Sequence, residues 1–288
     1  MSDLNLQIAS ASEPEKKETG GPVVLLLLNS WGVAPLSEGN AFNGLNLKNL
    51  NRFLENYPVA ILSASGEPGQ RYQILGAEGQ LTKIISEAGR KQRRLSESEA
   101  VPLLEGYFIN GRSELLAGES REVISSPGGE RQENLKEASE VLVKKLISLI
   151  KKGEDDFIVL NLSYLDLVAQ TGDWEKTRGA LKTCDLWVGK IGDAVSKYRG
   201  TLILSSAYGR AEALRNSFSG VAQTDITNKP IPFLIVGQNY AGQSLGADVF
   251  SEDLSLLPLA GDLSMVAPTI LNILKIKIPK SFPGKSLL

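Results

Sequence analysis

The sequence predicts an α/β fold built on a mostly parallel sheet with helices on both faces. Three observations lead there. Short, continuous apolar runs rich in β-branched residues recur along the chain, as expected of strands buried on both faces. Longer stretches with apolar residues three and four apart separate them. The two patterns alternate instead of clustering, which favours parallel pairing through crossover helices.

The strands are expected at Gly21–Leu28 (GPVVLLLL), Phe157–Leu162 (FIVLNL), Thr201–Ser205 (TLILS) and Ile231–Val236 (IPFLIV). A helix is expected over Glu133–Lys152, where Leu135, Ala138, Val141, Leu142, Leu146 and Leu149 share a face. A second spans Asp173–Tyr198 through Leu181, Cys184, Val188, Ile191 and Val195, with Asp173 as N-cap and Gly200 as terminator. A short helix over Met265–Leu274 ends before Pro279 and Pro283. Tyr107–Ser125 reads as a hairpin-like excursion at the sheet edge, around Asn110-Gly111 and Ala117-Gly118. The charge cluster Arg90–Arg94 reads as a solvated helix end. In such sheets ligands bind beyond the carboxyl ends of the strands. The places to look are therefore residues 29–32, 163–171 and 206–212.

The bulk numbers fit a globular protein. The 288 residues are 42% apolar and 22% charged, with 31 basic and 33 acidic side chains and a net charge of −2. A chain this long can bury roughly 75% of its unfolded surface. No basic stripe marks a nucleic-acid partner. No apolar run approaches the ~20 residues of a membrane helix. The polar start lacks the pattern of a signal peptide, so residues 1–20 are expected to form a disordered tail, residues 21–288 one domain, and the protein to be cytoplasmic. Cys184 is the sole cysteine, expected as a buried thiol. Trp31, Trp174 and Trp187 are expected in the core, with an interface role as the alternative. Gly32, Gly39, Gly66 and Gly172 read as devices at turns. Histidine is absent. That excludes Ser-His-Asp and Cys-His mechanisms and His-based zinc sites.

The strand ends carry a resemblance. Pro22–Asn40 (PVVLLLLNSWGVAPLSEGN), Tyr57–Glu67, Asp156–Gly172, Thr201–Glu212 (TLILSSAYGRAE), Thr227–Gly237 and Val266–Leu288 resemble, in order, six motifs of the cofactor-independent phosphoglycerate mutases, of the alkaline phosphatase superfamily. The resemblance implies an alkaline-phosphatase-like three-layer sandwich. It also implies two divalent ions and a phosphorylated serine. The family's inserted substrate domain looks absent near residues 67–80. Carried over position by position, the family's metal ligands fall on Asn29, Asp166, Gln170, Ala207 and Tyr208, and on either Gln223 or Ile226. Only Asp166 keeps the family's residue. The nucleophile motif has no counterpart, its nearest place being Gly69–Gly76 (GQRYQILG), and the substrate lysine falls near Ala100. Ser30, Ser63 and Ser65 lie near the site without a base to activate them.

Neutral side chains do not hold two divalent ions the way carboxylates and imidazoles do. The expectation is therefore no metal, no cofactor and no catalytic residue. Asp166 should then be met by Arg210 or Lys229, or else cap its own turn. The resemblance thus suggests a catalytically inactive, mutase-like protein serving as a protein-binding or scaffolding subunit, in a complex or homo-oligomer. The alternatives are a sensor of a small phosphorylated ligand, and a metal-dependent phosphatase or mutase with a site rebuilt from Asp166, Asp173, Asp225 and Glu212.

Overall fold

A computed structural model describes residues 20–125, 131–245 and 253–288. The expected tail, apart from Gly20, lies outside the described residues. Among the described residues eight strands form one sheet: β1 (Val23–Leu28), β2 (Val59–Ser63), β3 (Gln92–Glu97), β4 (Glu119–Ile124), β5 (Phe157–Leu162), β6 (Thr201–Ser205), β7 (Ile231–Val236) and β8 (Leu259–Asp262). Among the described residues seven α-helices accompany them: α1 (Lys48–Asn56), α2 (Pro68–Leu75), α3 (Gln80–Glu87), α4 (Arg131–Lys152), α5 (Tyr164–Ala169), α6 (Trp174–Lys197) and α7 (Val266–Ile273).

The strand order is β4-β3-β5-β1-β6-β7-β2-β8, and only β7 runs against its neighbours. β1 is central, with Val23 level with Phe157 on one side and Thr201 on the other. All six of its side chains are buried. Strand alternation sends Val24, Leu26 and Leu28 to the core under α1, α4, α5 and α6, and Val23, Leu25 and Leu27 to the core under α2, α3 and α7. The mostly parallel sheet and its two helical layers match the expected fold class.

Several local readings change. Residues 107–125 form no hairpin: a π-helical turn over Pro102–Phe108 leads to β4, which pairs parallel with β3. The Arg90–Arg94 cluster is no solvated helix end, because β3 runs through it and Arg94 is 3% exposed. Its guanidinium is neutralised by Glu105 and by Glu119, which also pairs with Arg112. Val141 is exposed on α4. Asp173 does cap α6, accepting from the Lys176 N–H at 3.0 Å. The left-handed residue after that helix is Arg199, φ 55°, instead of Gly200. Trp31 and Trp187 are core residues, and Trp174 is stacked under the guanidinium groups of Arg178 and Arg215.

Candidate functional site at the strand ends

Because β1, β5 and β6 are parallel, their carboxyl ends open on the same edge and deliver polar residues to one place. Asn29 follows β1 directly. Its Oδ1 accepts the Ala207 N–H at 3.0 Å, and its Nδ2 donates to the Tyr72 hydroxyl at 2.6 Å and to Asn161 Oδ1 at 3.2 Å. Tyr72 in turn donates to Asn161. Burial pushes the Tyr72 phenol well above its ordinary value, so it serves as a protonated donor.

Ser30 and Asp166 form the centre. Ser30 sits in the left-handed region, φ 72°, unusual for a residue with a side chain. Bonds from its N–H to the Tyr208 carbonyl at 2.9 Å and from the Ala211 N–H to its own carbonyl at 3.0 Å hold it there. Its hydroxyl donates to Asp166 Oδ1 at 2.5 Å. Arg210 Nε donates to the same oxygen at 3.1 Å. The other carboxylate oxygen accepts from Tyr208 at 3.1 Å and from Gln170 Nε2 at 2.9 Å. Burial, then the negative charge of Asp166, drives the Tyr208 phenol well above its ordinary range, so it too stays protonated. Asp166 is therefore met by four donors and is no mere turn cap.

Of the two cations expected near Asp166, Arg210 takes the role. Lys229 is exposed and forms no ion pair with Asp166. Of the remaining expected positions, Ala207 and Tyr208 enter the network, Ile226 lines a neighbouring cleft, and Gln223 is exposed elsewhere. That cleft, about 380 Å³, is bounded by Gly66, Glu67, Pro68, Arg71, Arg210, Asp225, Ile226 and Asn228. Sequence reasoning missed Arg71, Tyr72 and Asn161. Asn161 carried a signal, as the one polar residue inside a strand of apolar ones.

Behind the site lies Glu212, 2% exposed, whose carboxylate accepts the N–H groups of Gly32 at 3.1 Å and Arg210 at 2.7 Å and the Thr227 hydroxyl. A Cβ on Gly32 would fall 2.3 Å from that carboxyl carbon, so this glycine exists for close approach and not for a turn. Burial raises the proton affinity of Glu212, opposed by these hydrogen bonds.

Comparison with known proteins places this geometry. The profile of the Metalloenzyme superfamily matches residues 21–278. The chain belongs to that superfamily. The 2,3-bisphosphoglycerate-independent phosphoglycerate mutase of Pyropia yezoensis is 34% identical over 209 residues, covering 72% of this chain and 38% of that protein. Among solved structures, Leishmania mexicana phosphoglycerate mutase superposes with a TM-score of 0.57 at 21% identity, over 70% of this chain and 38% of that one. Alkaline phosphatase from the Antarctic bacterium TAB5 superposes with a TM-score of 0.53 at 12% identity, over 90% and 99%. The chain spans less than half the length of the curated relatives it matches.

These findings bear out the mutase-like, alkaline-phosphatase-like recognition and overturn one expectation. The chain was expected not to be an enzyme, yet its relatives carry an enzyme's name and its superfamily is enzymatic. The superfamily's name implies a metal, and the residues at these strand ends do not fit one. Both oxygens of Asp166 are engaged by donors, a guanidinium stands beside them, and no three acidic or cysteine side chains converge among the described residues. Asp173 is committed to its cap and Glu212 to backbone N–H groups. No helix among the described residues is long and apolar enough to cross a membrane.

Proposed function

We propose that the chain is a mutase- or phosphatase-like protein of the cytoplasm that acts on phosphate esters of small hydroxy acids, phosphoglycerate among them. Arg210 carries this reading: its Nε holds Asp166 at the strand ends while its side chain also lines the open cleft. A fixed guanidinium at the wall of a cleft is suited to charge developing on a phosphoryl group. The relatives' shared name supplies the substrate class.

The test is to incubate the purified chain with each phosphoglycerate isomer, with and without added divalent ions. Isomerisation and phosphate release would be followed by phosphorus NMR, in the parent and in Arg210→Met. Turnover lost in the variant supports the reading. Binding without turnover by either protein would favour a sensor, and neither binding nor turnover would sink the proposal.

A second reading adds a protein partner, making the chain a binding or scaffolding subunit. Phe218 is fully exposed on a turn whose Asn216 side chain accepts the N–H groups of Phe218 and Ser219. Leu36 and Leu256, also exposed, lie on a loop and on the 3-10 turn Leu254–Leu256, joined by the bond from the Leu36 N–H to Asp253. Light scattering on the parent and on Phe218→Ser would check self-association, and cross-linking in cells would check for other partners.

A further inference from the structure

We infer that the cleft beside Arg71 and Arg210 is a two-guanidinium site for the phosphate group of a small monoester. The inference deepens the phosphate-ester reading but requires only binding, not turnover.

Arg71 is 1% exposed, and a guanidinium does not shed its proton. Its charge must be met by something. The three hydrogen bonds it makes go to neutral acceptors: Nε to the Gly66 carbonyl at 2.8 Å, Nη1 to the Thr227 carbonyl at 3.0 Å, and Nη2 to Asn228 Oδ1. Among the described residues no carboxylate pairs with it. The other buried arginines differ, since Arg94 has Glu105 and Glu119, and Arg210 has Asp166. Burial accordingly holds the Arg71 guanidinium below the ordinary arginine value, with Glu67 acting against the shift from an exposed position. A buried, unpaired charge is costly. An anion in the cleft removes that cost.

The hydrogen-bonding capacity fits. Arg71 has five N–H groups and uses three, which leaves one on each terminal nitrogen. Arg210 uses only Nε, so its terminal nitrogens have no partner among the described residues, and its side chain lines the same cleft. Two planar forks suit the several oxygens of a phosphate dianion better than the two of a carboxylate. The cleft's volume lies at the small end of ligand sites, and Ile226 offers one apolar wall for a short carbon skeleton. Glu67 and Asp225, exposed on its boundary, disfavour polyanions such as nucleoside polyphosphates.

Asn228→Asp tests this without dismantling the fold. It keeps the shape and the acceptor while giving Arg71 a carboxylate partner of its own. Calorimetric titration of the full chain would use inorganic phosphate, phosphoglycerate and unphosphorylated glycerate as separate probes. The parent should bind the first two and prefer both to glycerate. Asn228→Asp should weaken phosphate by about tenfold or more, on the scale of one charge-assisted hydrogen bond, while its Tm holds or rises. Arg71→Lys, which keeps the charge but has no N–H group to spare beyond the three bonds already made, should also weaken phosphate binding. Phosphate binding unchanged in Asn228→Asp, glycerate bound as tightly as phosphate, or no binding of phosphate by the parent would each overturn the inference. If phosphate binds and responds to Asn228→Asp but no ester is turned over, the site stands and the enzymatic reading falls. Turnover with phosphate binding indifferent to Asn228→Asp gives the reverse.

Discussion

Arg210 Nε donates to Asp166 Oδ1 at 3.1 Å, and both side chains are nearly excluded from solvent. This pair joins the loop after β6 to α5 and places a fixed positive charge where the parallel strands end.

Removing one partner should cost more than removing both. Arg210→Met leaves Asp166 buried and charged, and should destabilise the fold by about 3–5 kcal/mol. Asp166→Asn combined with Arg210→Met should recover a large part of that loss. Urea unfolding of the four proteins in the cycle measures the coupling; strict additivity would show that the pair contributes nothing.

Glu97 makes stability fall as pH rises. It is fully buried at the end of β3, accepting from the Ser139 hydroxyl at 2.5 Å and the Ser163 N–H at 3.2 Å, with no cation paired to it among the described residues. Burial raises its pKa, so the folded chain holds the proton more tightly than the unfolded chain does. Its contribution is most favourable below the ordinary carboxylate pKa and is lost as pH climbs from there through the raised value. Glu97→Gln removes the charge, its Oε1 accepting the Ser163 N–H and its Nε2 donating to the Ser139 hydroxyl in place of the present bond. The variant should melt above the parent at pH 8, and the gap should close towards pH 4.

Gly32→Ala should destabilise by about 1–3 kcal/mol, because the new methyl meets the Glu212 carboxylate, which is held in place by other bonds. In a Glu212→Ala background the added cost should disappear. Equal costs in the two backgrounds, read from thermal melts, would place the strain elsewhere.

Arg94→Met should loosen the sheet edge. It strips Glu105 and Glu119 of a buried partner, leaving Glu119 with Arg112 and the Leu116 N–H, and Glu105 with the more exposed Arg121. A loss of about 3 kcal/mol is expected. Hydrogen exchange should show faster exchange at the amides of β3 and β4 while those of β1 stay protected.

Some of this architecture was legible along the chain. β1, β5, β6 and β7 are continuous apolar runs because both of their faces are covered, and burial on both faces leaves no room for alternation. The long helices α4 and α6 announced themselves by spacing, and Asp173 by its capping chemistry. Asn29, Asp166, Tyr208 and Arg210 could be placed near one another because each follows or closely trails a strand, and parallel strands end on a common edge.

β3 was not legible. Its sequence, QRRLSE, is polar, and it lies inside a sheet only because Glu105 and Glu119 neutralise Arg94 from segments that fold back beside it. Arg71 gave no signal for a related reason: nothing in its neighbourhood says that its charge is buried against carbonyls from residues 66 and 227.

The sequence by itself determined the layered α/β fold, the central strands and the edge where the polar residues gather, because these follow from local periodicity and from the parallel pairing it implies. The tertiary structure alone decided which charges are paired. It gave Asp166 to Arg210 and not to Lys229, and among the described residues it left Arg71 without a carboxylate. The physical reason is range: hydrophobic patterning is written in neighbours three or four residues apart, whereas the ion pair of Arg210 with Asp166 depends on a few ångströms between side chains 44 positions apart in the chain.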